Sequence, residues 1–282
     1  MMKKIVAFQG EAGAYSEAAA YAYFGKEIKT LACKNFDRLF ESVSDGRATH
    51  GIAPIENSLA GSIHRNYDLL LRHELYIIGE YHLRVSHCLM ALPGVALSDV
   101  QRVYSHPQAL AQCEQSLNKL GLTPIAANDT AGSARSLKEK KERNAAALAS
   151  EHAAQVYGLE ILQKNMEDNP LNYTRFLALA PQPSQDTQAK EYRTSVAFSL
   201  VNKPGILFNA LSIFALREID LSKIESRPQP GKPWKYLFHI DFIGHVDEEK
   251  VGNALNHLRE IAPFIRVFGS YPREQRDWSG RA

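Results

Sequence analysis

Asn172-Tyr173-Thr174-Arg175-Phe176-Leu177-Ala178-Leu179-Ala180 places an amide, a hydroxyl and a fixed cation at the mouth of an apolar strand, after the loop Asp168-Asn169-Pro170. Arginine presents a planar fork of donors that matches a carboxylate, so such a mouth suits a small anionic ligand. Polar side chains that only cap their own loop-to-strand junction would read the same way. What separates the two readings is where this strand belongs in the fold.

Upstream of it, strands and helices alternate. Ile5 to Phe8 reads as a buried strand, followed by the glycine-bearing turn Gln9 to Ser16 and an alanine-rich helix from Glu17 to Phe24 with Ser16 as its expected N-cap. The turn matches neither the dinucleotide fingerprint nor the P-loop spacing, so a nucleotide loop is rejected. Ile28 to Cys33, the N-cap Asn35 with helix Phe36 to Asp45, and the strand around His50 to Ile55 continue the rhythm. That last strand runs into Glu56-Asn57-Ser58. Alternating strands and helices imply a mostly parallel sheet, with ligands gathering in loops at the carboxyl ends of the strands. Ser16, Glu56, Asn57 and Ser58 all fall in such loops.

An extended stretch from Leu75 to Leu92 reads as a crossover into a second lobe, which resumes the rhythm at Val100 to Tyr104 and Ser105-His106-Pro107-Gln108. Pro107 marks a helix start, and Gln108 and Gln112 share one helix face, expected to face water. Asn128 to Gly132 turns into another helix, and Ala145 to Ala149 with Ser150 to Tyr157 forms a further strand and helix. If Phe176 to Ala180 then returns to the first lobe, the chain crosses twice between lobes, as in two-lobed clefts of the periplasmic-binding-protein (type II) kind that close by hinge motion. The expected lobes are 1–80 with 170–181, and 81–169.

A polar linker, 182–192, separates this α/β domain from a region, 193–273, whose periodicities read strand, helix, strand, strand, helix, strand. This is the ferredoxin-like βαββαβ order, and a tail, 274–282, follows. With 282 residues, 45% apolar and 23% charged, the chain is an ordinary globular one of about two domains. A formal net charge of +2 gives no footprint for nucleic acid. The three cysteines, Cys33, Cys88 and Cys113, form no paired spacing, which points to a reducing compartment. No signal peptide and no run of the ~20 apolar residues of a membrane span is read, so the expectation is a soluble, cytoplasmic protein.

Gly10-x-x-Gly13-Ala14-Tyr15-Ser16, Glu56-Asn57-Ser58-x-x-Gly61, Ser105-His106-Pro107-Gln108-Ala109-Leu110, Asp129-Thr130-Ala131-Gly132 and Thr174-Arg175-Phe176, in this order, resemble the prephenate dehydratase family. The distal region resembles its ACT regulatory domain, through Gly205-Ile206-Leu207-Phe208-Asn209-Ala210-Leu211 and Glu225-Ser226-Arg227-Pro228; Ile206 stands where alanine is usual. The resemblance implies decarboxylating dehydration of prephenate to phenylpyruvate without metal or cofactor. It also implies feedback by L-phenylalanine bound between ACT domains of a homodimer or homotetramer.

The implied catalytic residues are Thr174, Glu56, Asn57, Ser105 and Gln112. Thr174 acts on the leaving hydroxyl, as direct donor or within a relay. The implied substrate contacts are Arg175 as carboxylate clamp, Ser58, Ser16, His106, and Phe176 as the strand's apolar anchor. His106 could equally serve only its turn. Ala149 and Ser150 are expected near the keto or amino group that distinguishes prephenate from arogenate. The implied phenylalanine contacts are Gly205, Ile206, Leu207, Asn209, Ala210, Leu211, Glu225, Ser226, Arg227 and Pro228. Arogenate dehydratase, or a two-lobed binding or sensor protein without turnover, would share much of this sequence.

Overall fold

A computed structural model describes residues 3–186, 188–229 and 235–275, so the expected tail falls outside them beyond residue 275. The first lobe comprises β1 (Ile5–Gln9), α1 (Tyr15–Phe24), β2 (Lys29–Cys33), α2 (Phe36–Ser44), β3 (His50–Asn57), β4 (Gly61–Ser62), α3 (His64–Arg72) and β5 (Tyr76–Arg84). After the second lobe the chain returns as β11 (Tyr173–Ala180), giving the strand order β2-β1-β3-β11-β5 with β4 beside β3. This insertion confirms the double crossing. β1 is parallel to both neighbours, and Val6, Ala7 and Phe8 are fully buried between helices, as an apolar run in a parallel sheet requires.

Asn35 caps α2 as expected, its Oδ1 accepting from Arg38 N. α1 differs. It starts at Tyr15 with Ala14 as N-cap, so Ser16 lies inside the first turn, and no side chain satisfies the amides there.

The second lobe contains β6 (Cys88–Ala91), β7 (Arg102–Ser105), α4 (Pro107–Gln112), α5 (Glu114–Lys119), β8 (Thr123–Ala126), α6 (Thr130–Lys140), β9 (Ala145–Ala149), α7 (Glu151–Tyr157) and β10 (Glu160–Gln163), in the order β10-β6-β9-β7-β8. β9 is wholly buried. Its run of alanines lets the covering helices approach closely, while Leu89, Met90, Val103, Leu117 and Leu137 fill the rest of that core. His106, Asp129 and Ser150 each cap the following helix through a side-chain acceptor.

β12 (Tyr192–Ser199), α8 (Ile206–Ala215), β13 (Leu221–Pro228), β14 (Tyr236–Ile243), α9 (Glu249–Ile261) and β15 (Phe264–Pro272) form the expected βαββαβ arrangement, an antiparallel sheet ordered β13-β14-β12-β15. Its core joins Phe198, Phe242 and Ile240 to Phe214, Leu255 and Leu258 of the helices. By compactness the chain divides into two units: one runs to His73 and resumes over Tyr81–Ala178, and the other takes Glu74–Glu80 together with the chain from Leu179 on. The start of β5, a strand of the first sheet, therefore falls in the same compact unit as the distal sheet. No helix among the described residues is long and apolar enough to cross a membrane.

Candidate active site

Between the two lobes of the first unit lies a cleft of about 400 Å³. Tyr15, Ser16, Asn57, Thr174 and Phe176 face it from the first lobe, and His106, Gln108, Gln112, Asp129 and Thr130 from the second. Loops at the carboxyl ends of β1, β3, β7 and β8 supply most of these groups, as the parallel topology dictates.

Thr174 is held by Asn57, whose Nδ2 lies 3.0 Å from Thr174 Oγ1, 2.8 Å from Asn172 Oδ1 and 3.1 Å from the Tyr173 carbonyl. On its other side Asn57 Oδ1 accepts from the backbone amides of Leu59 and Ala60 at 3.0 and 2.9 Å. Both orientations of the Asn57 amide are thus fixed by groups that cannot reverse their polarity. The Thr174 hydroxyl must accept from Asn57, which leaves its own hydrogen for the cleft. Gln112 Oε1 accepts from Asn172 Nδ2 at 3.1 Å and lies 3.0 Å from His87 Nε2, so a second-lobe helix is tied to both crossover segments.

Other expected site residues stand elsewhere. Successive strand side chains alternate between faces, so Thr174 and Phe176 reach the cleft while Arg175 turns to the opposite face of β11, buried and partnered there. The direct carboxylate clamp expected of Arg175 is corrected accordingly. Glu56, one residue before Asn57, is half-buried, partnered and absent from the cleft wall for the same reason. Ser105 is fully buried and donates to the Leu148 carbonyl at 2.6 Å, fastening β7 to β9 instead of facing a substrate. Ser58 donates to Leu171 O and accepts from Tyr173 N, stitching two loops.

Ala149 ends β9 fully buried, and Ser150 caps α7 while donating to Gly13 O at 2.6 Å, so neither lines the cleft. His106 caps α4 by accepting from Gln108 N, which fits the turn role, and it also faces the cleft. Gln108 and Gln112 face the cleft, not water.

Tyr15 and His87 were not singled out by the sequence, whereas the Asn172 amide was, at the strand mouth. Tyr15 Oη lies 2.8 Å from Ser86 O and 2.9 Å from His87 Nδ1. Burial, with Cys88, Cys113 and Glu167 nearby, pushes its phenol well above the usual range. Burial also pushes the His87 imidazole down, against the opposing effects of Gln112 and Glu167, so the ring is held neutral.

The glycine motif near the amino end has a mechanical role. Gly13 adopts φ +86°, and a Cβ there would lie 2.8 Å from Ala153 Cα, so only glycine lets the lobes meet at this point. Around it Tyr157 Oη donates to Ala12 O, Arg135 pairs with Glu11, and His152 Nε2 lies 3.0 Å from Glu17 Oε2. Gly13→Ala is expected to strain this closed contact by about 1–3 kcal/mol. The measurement is a rise in KM of roughly tenfold with unchanged far-ultraviolet circular dichroism.

The sequence profile described as prephenate dehydratase matches residues 6–184, and that of the ACT domain matches 194–260. The chain belongs to the prephenate dehydratase family. An Arabidopsis thaliana relative named arogenate dehydratase/prephenate dehydratase 2, chloroplastic, is 50% identical over 95% of this chain and 72% of its own length. Among solved structures, a prephenate dehydratase from Arthrobacter aurescens in complex with L-Phe is 33% identical with a TM-score of 0.88, covering 95% of this chain and 90% of its own. GqqA, described as a novel type of quorum quenching acylase, is 35% identical with a TM-score of 0.90, covering 96% of this chain and 98% of its own. Prephenate dehydratase family membership accounts for both the two-lobed domain and the distal ACT domain.

Proposed function

We propose that the protein dehydrates and decarboxylates prephenate to phenylpyruvate, and that L-phenylalanine inhibits it through the ACT domain. The observation that carries the catalytic part is the Asn57–Thr174 pair in the cleft, which leaves a hydroxyl hydrogen free to meet a leaving oxygen. One proton is consumed per turnover: the ring hydroxyl leaves as water, the ring carboxylate leaves as carbon dioxide, and the electrons of the broken C–C bond complete the aromatic ring. Thr174 polarises the departing C–O bond. A hydroxyl is a weak acid, so its contribution is hydrogen bonding in the transition state, not full proton donation.

Among the described residues, no lysine or arginine lines the cleft. The substrate carboxylates therefore meet neutral donors: Ser16, Gln108, Gln112 and the uncapped amides at the start of α1, where the helix dipole favours an anion.

For the regulatory part, Gly205 caps α8 at φ +78° and begins the segment Ile206, Leu207, Asn209 and Leu211, while Glu225, Ser226, Arg227 and Pro228 end the edge strand β13. Ala210 is fully buried and acts from the core, whereas Phe208 and Leu216 are 74% and 82% exposed. These exposed apolar groups support pairing of ACT domains between subunits in a dimer or tetramer, with phenylalanine at the junction. A reducing, cytoplasm-like compartment belongs to the same reading, supported by three buried free thiols. A second reading, arogenate dehydratase, is favoured by the naming of the plant relative.

The test is turnover of prephenate and arogenate, with and without L-phenylalanine. Prephenate should be consumed with appearance of phenylpyruvate absorbance, and phenylalanine should suppress it. Faster turnover of arogenate would select the second reading, and inertness toward both would overturn the enzymatic one.

A further inference from the structure

His87 lies in the first crossover between lobes, its carbonyl accepting from Met166 N and its amide donating to Glu167 Oε2. Asn172 lies in the second crossover, its carbonyl accepting from Val85 N. One side chain of the second lobe, Gln112, touches both residues.

The polarity of the whole path can be read from its anchored end. The Leu59 and Ala60 amides can only donate and the Tyr173 carbonyl can only accept, so Asn57 must present Oδ1 to the former and Nδ2 to the latter. Asn57 Nδ2 then requires Oδ1 of Asn172, which turns Asn172 Nδ2 toward Gln112. Gln112 must answer with Oε1, and that oxygen requires a hydrogen on His87 Nε2. Each amide orientation follows from its neighbour, and the path ends on a hydrogen at His87 Nε2.

We propose that His87 is a positioning residue for the chemistry at Thr174, held as the Nε2–H tautomer by this one-directional hydrogen-bond path. The proposal rests on the dehydratase reading only for what Thr174 does; the tautomer follows from the path anchored at Asn57 together with the burial that disfavours a charged ring. With Nε2 protonated and the ring neutral, Nδ1 is an acceptor, and the one Tyr15 hydroxyl hydrogen is shared between it and the Ser86 carbonyl, 2.9 and 2.8 Å away. His87 thereby fixes Tyr15 on one wall of the cleft and Gln112 on the other. Through Asn172 it also fixes the Asn57 amide that aims Thr174. The buried side chain is 2% exposed, so water does not substitute for these partners.

Nitrogen-15 spectroscopy of histidine-labelled full-length protein near neutral pH, with the His87 signals assigned by their loss in His87→Gln, tests the tautomer directly. A pyrrole-like Nε2 and a pyridine-like Nδ1 are expected. Asn57→Asp keeps the acceptor for Leu59 and Ala60 but cannot donate to Asn172. Both downstream amides should then flip, and His87 should convert to the Nδ1–H form.

In turnover, His87→Gln retains a donor at the Nε2 position, whereas His87→Asn retains only the group facing Tyr15. His87→Gln should keep kcat within a few-fold, and His87→Asn should lose about tenfold with KM little changed, as for one missing buried hydrogen bond. An Nδ1–H tautomer in the unmodified protein, an unaltered tautomer in Asn57→Asp, or equal kcat in the two His87 variants would overturn the proposal. Absence of turnover on either substrate by the unmodified protein would overturn the dehydratase reading, and with it the positioning role, while the tautomer assignment would stand on its spectra.

Discussion

Thr174→Ala is expected to fold normally and bind substrate almost as tightly as the unmodified protein, yet to lose about 10²- to 10³-fold in kcat, the loss typical of one transition-state donor. Thr174 is 8% exposed and sits at the start of β11. It is held by Asn57 Nδ2, which retains Asn172 Oδ1 and the Tyr173 carbonyl after the substitution. The fold therefore loses little. On the proposed dehydratase reading, what disappears is a hydrogen available to the oxygen where negative charge grows as the C–O bond breaks. Interactions made only in the transition state lower kcat and kcat/KM together and leave KM nearly unchanged. Thr174→Ser keeps the hydroxyl and should keep most of the rate. A Thr174→Ala enzyme with near-normal kcat would remove Thr174 from the chemistry.

The same strand shows how far sequence reaches. The apolar run after Phe176 announces a buried strand, and the alternation of β units announces a sheet with ligand loops at its carboxyl edge; both are found. The period-two rule separates Thr174 and Phe176 from Arg175, a signal present in the sequence but overridden by reading the triplet as one polar group. Gln108 and Gln112 share a helix face by spacing, yet spacing does not say whether that face meets solvent or another lobe. Ser105 looked like a cleft hydroxyl, and only the buried pairing of β7 with β9 assigns it to Leu148.

His87 had no local signal. It lies between two strands in a crossover, and its significance comes from Gln112 and Asn172, residues distant in sequence that the double crossing brings together. Capping was more legible: Asn35 acts as read, because an N-cap needs only its own next turn. Ser16 does not cap because the helix begins two residues earlier than expected, at Tyr15 with Ala14 as N-cap.

Glu80→Ala is expected to lower stability by about 3–5 kcal/mol. Glu80 belongs to the short segment of β5 that joins the distal unit, and it pairs with Arg193 of β12. Their side chains are 0% and 9% exposed, so truncating the carboxylate leaves a guanidinium buried without its counter-charge. The surrounding packing offers little room for rearrangement. Leu75 O accepts from Arg266, Glu80 Oε1 accepts from Glu274 N, and a Cβ on Gly269 would lie 2.4 Å from the Ile77 carbonyl.

The pair need not be intrinsically stabilising to have this effect. Desolvation of both ions offsets much of their attraction, so Glu80→Leu combined with Arg193→Met should recover most of the loss. A double-mutant cycle read by urea denaturation distinguishes this from simple loss of packing, for which the two substitutions would add. A Glu80→Ala midpoint corresponding to less than about 1 kcal/mol would place the pair in the range of exposed ion pairs and refute the argument. The consequence for regulation follows from chain continuity. β5 starts in the unit that contains the ACT domain and runs to Arg84, just before the crossover that holds His87. Weakening its anchorage at Glu80 should therefore reduce inhibition by phenylalanine more than it reduces uninhibited turnover, measured on folded protein well below the denaturation midpoint.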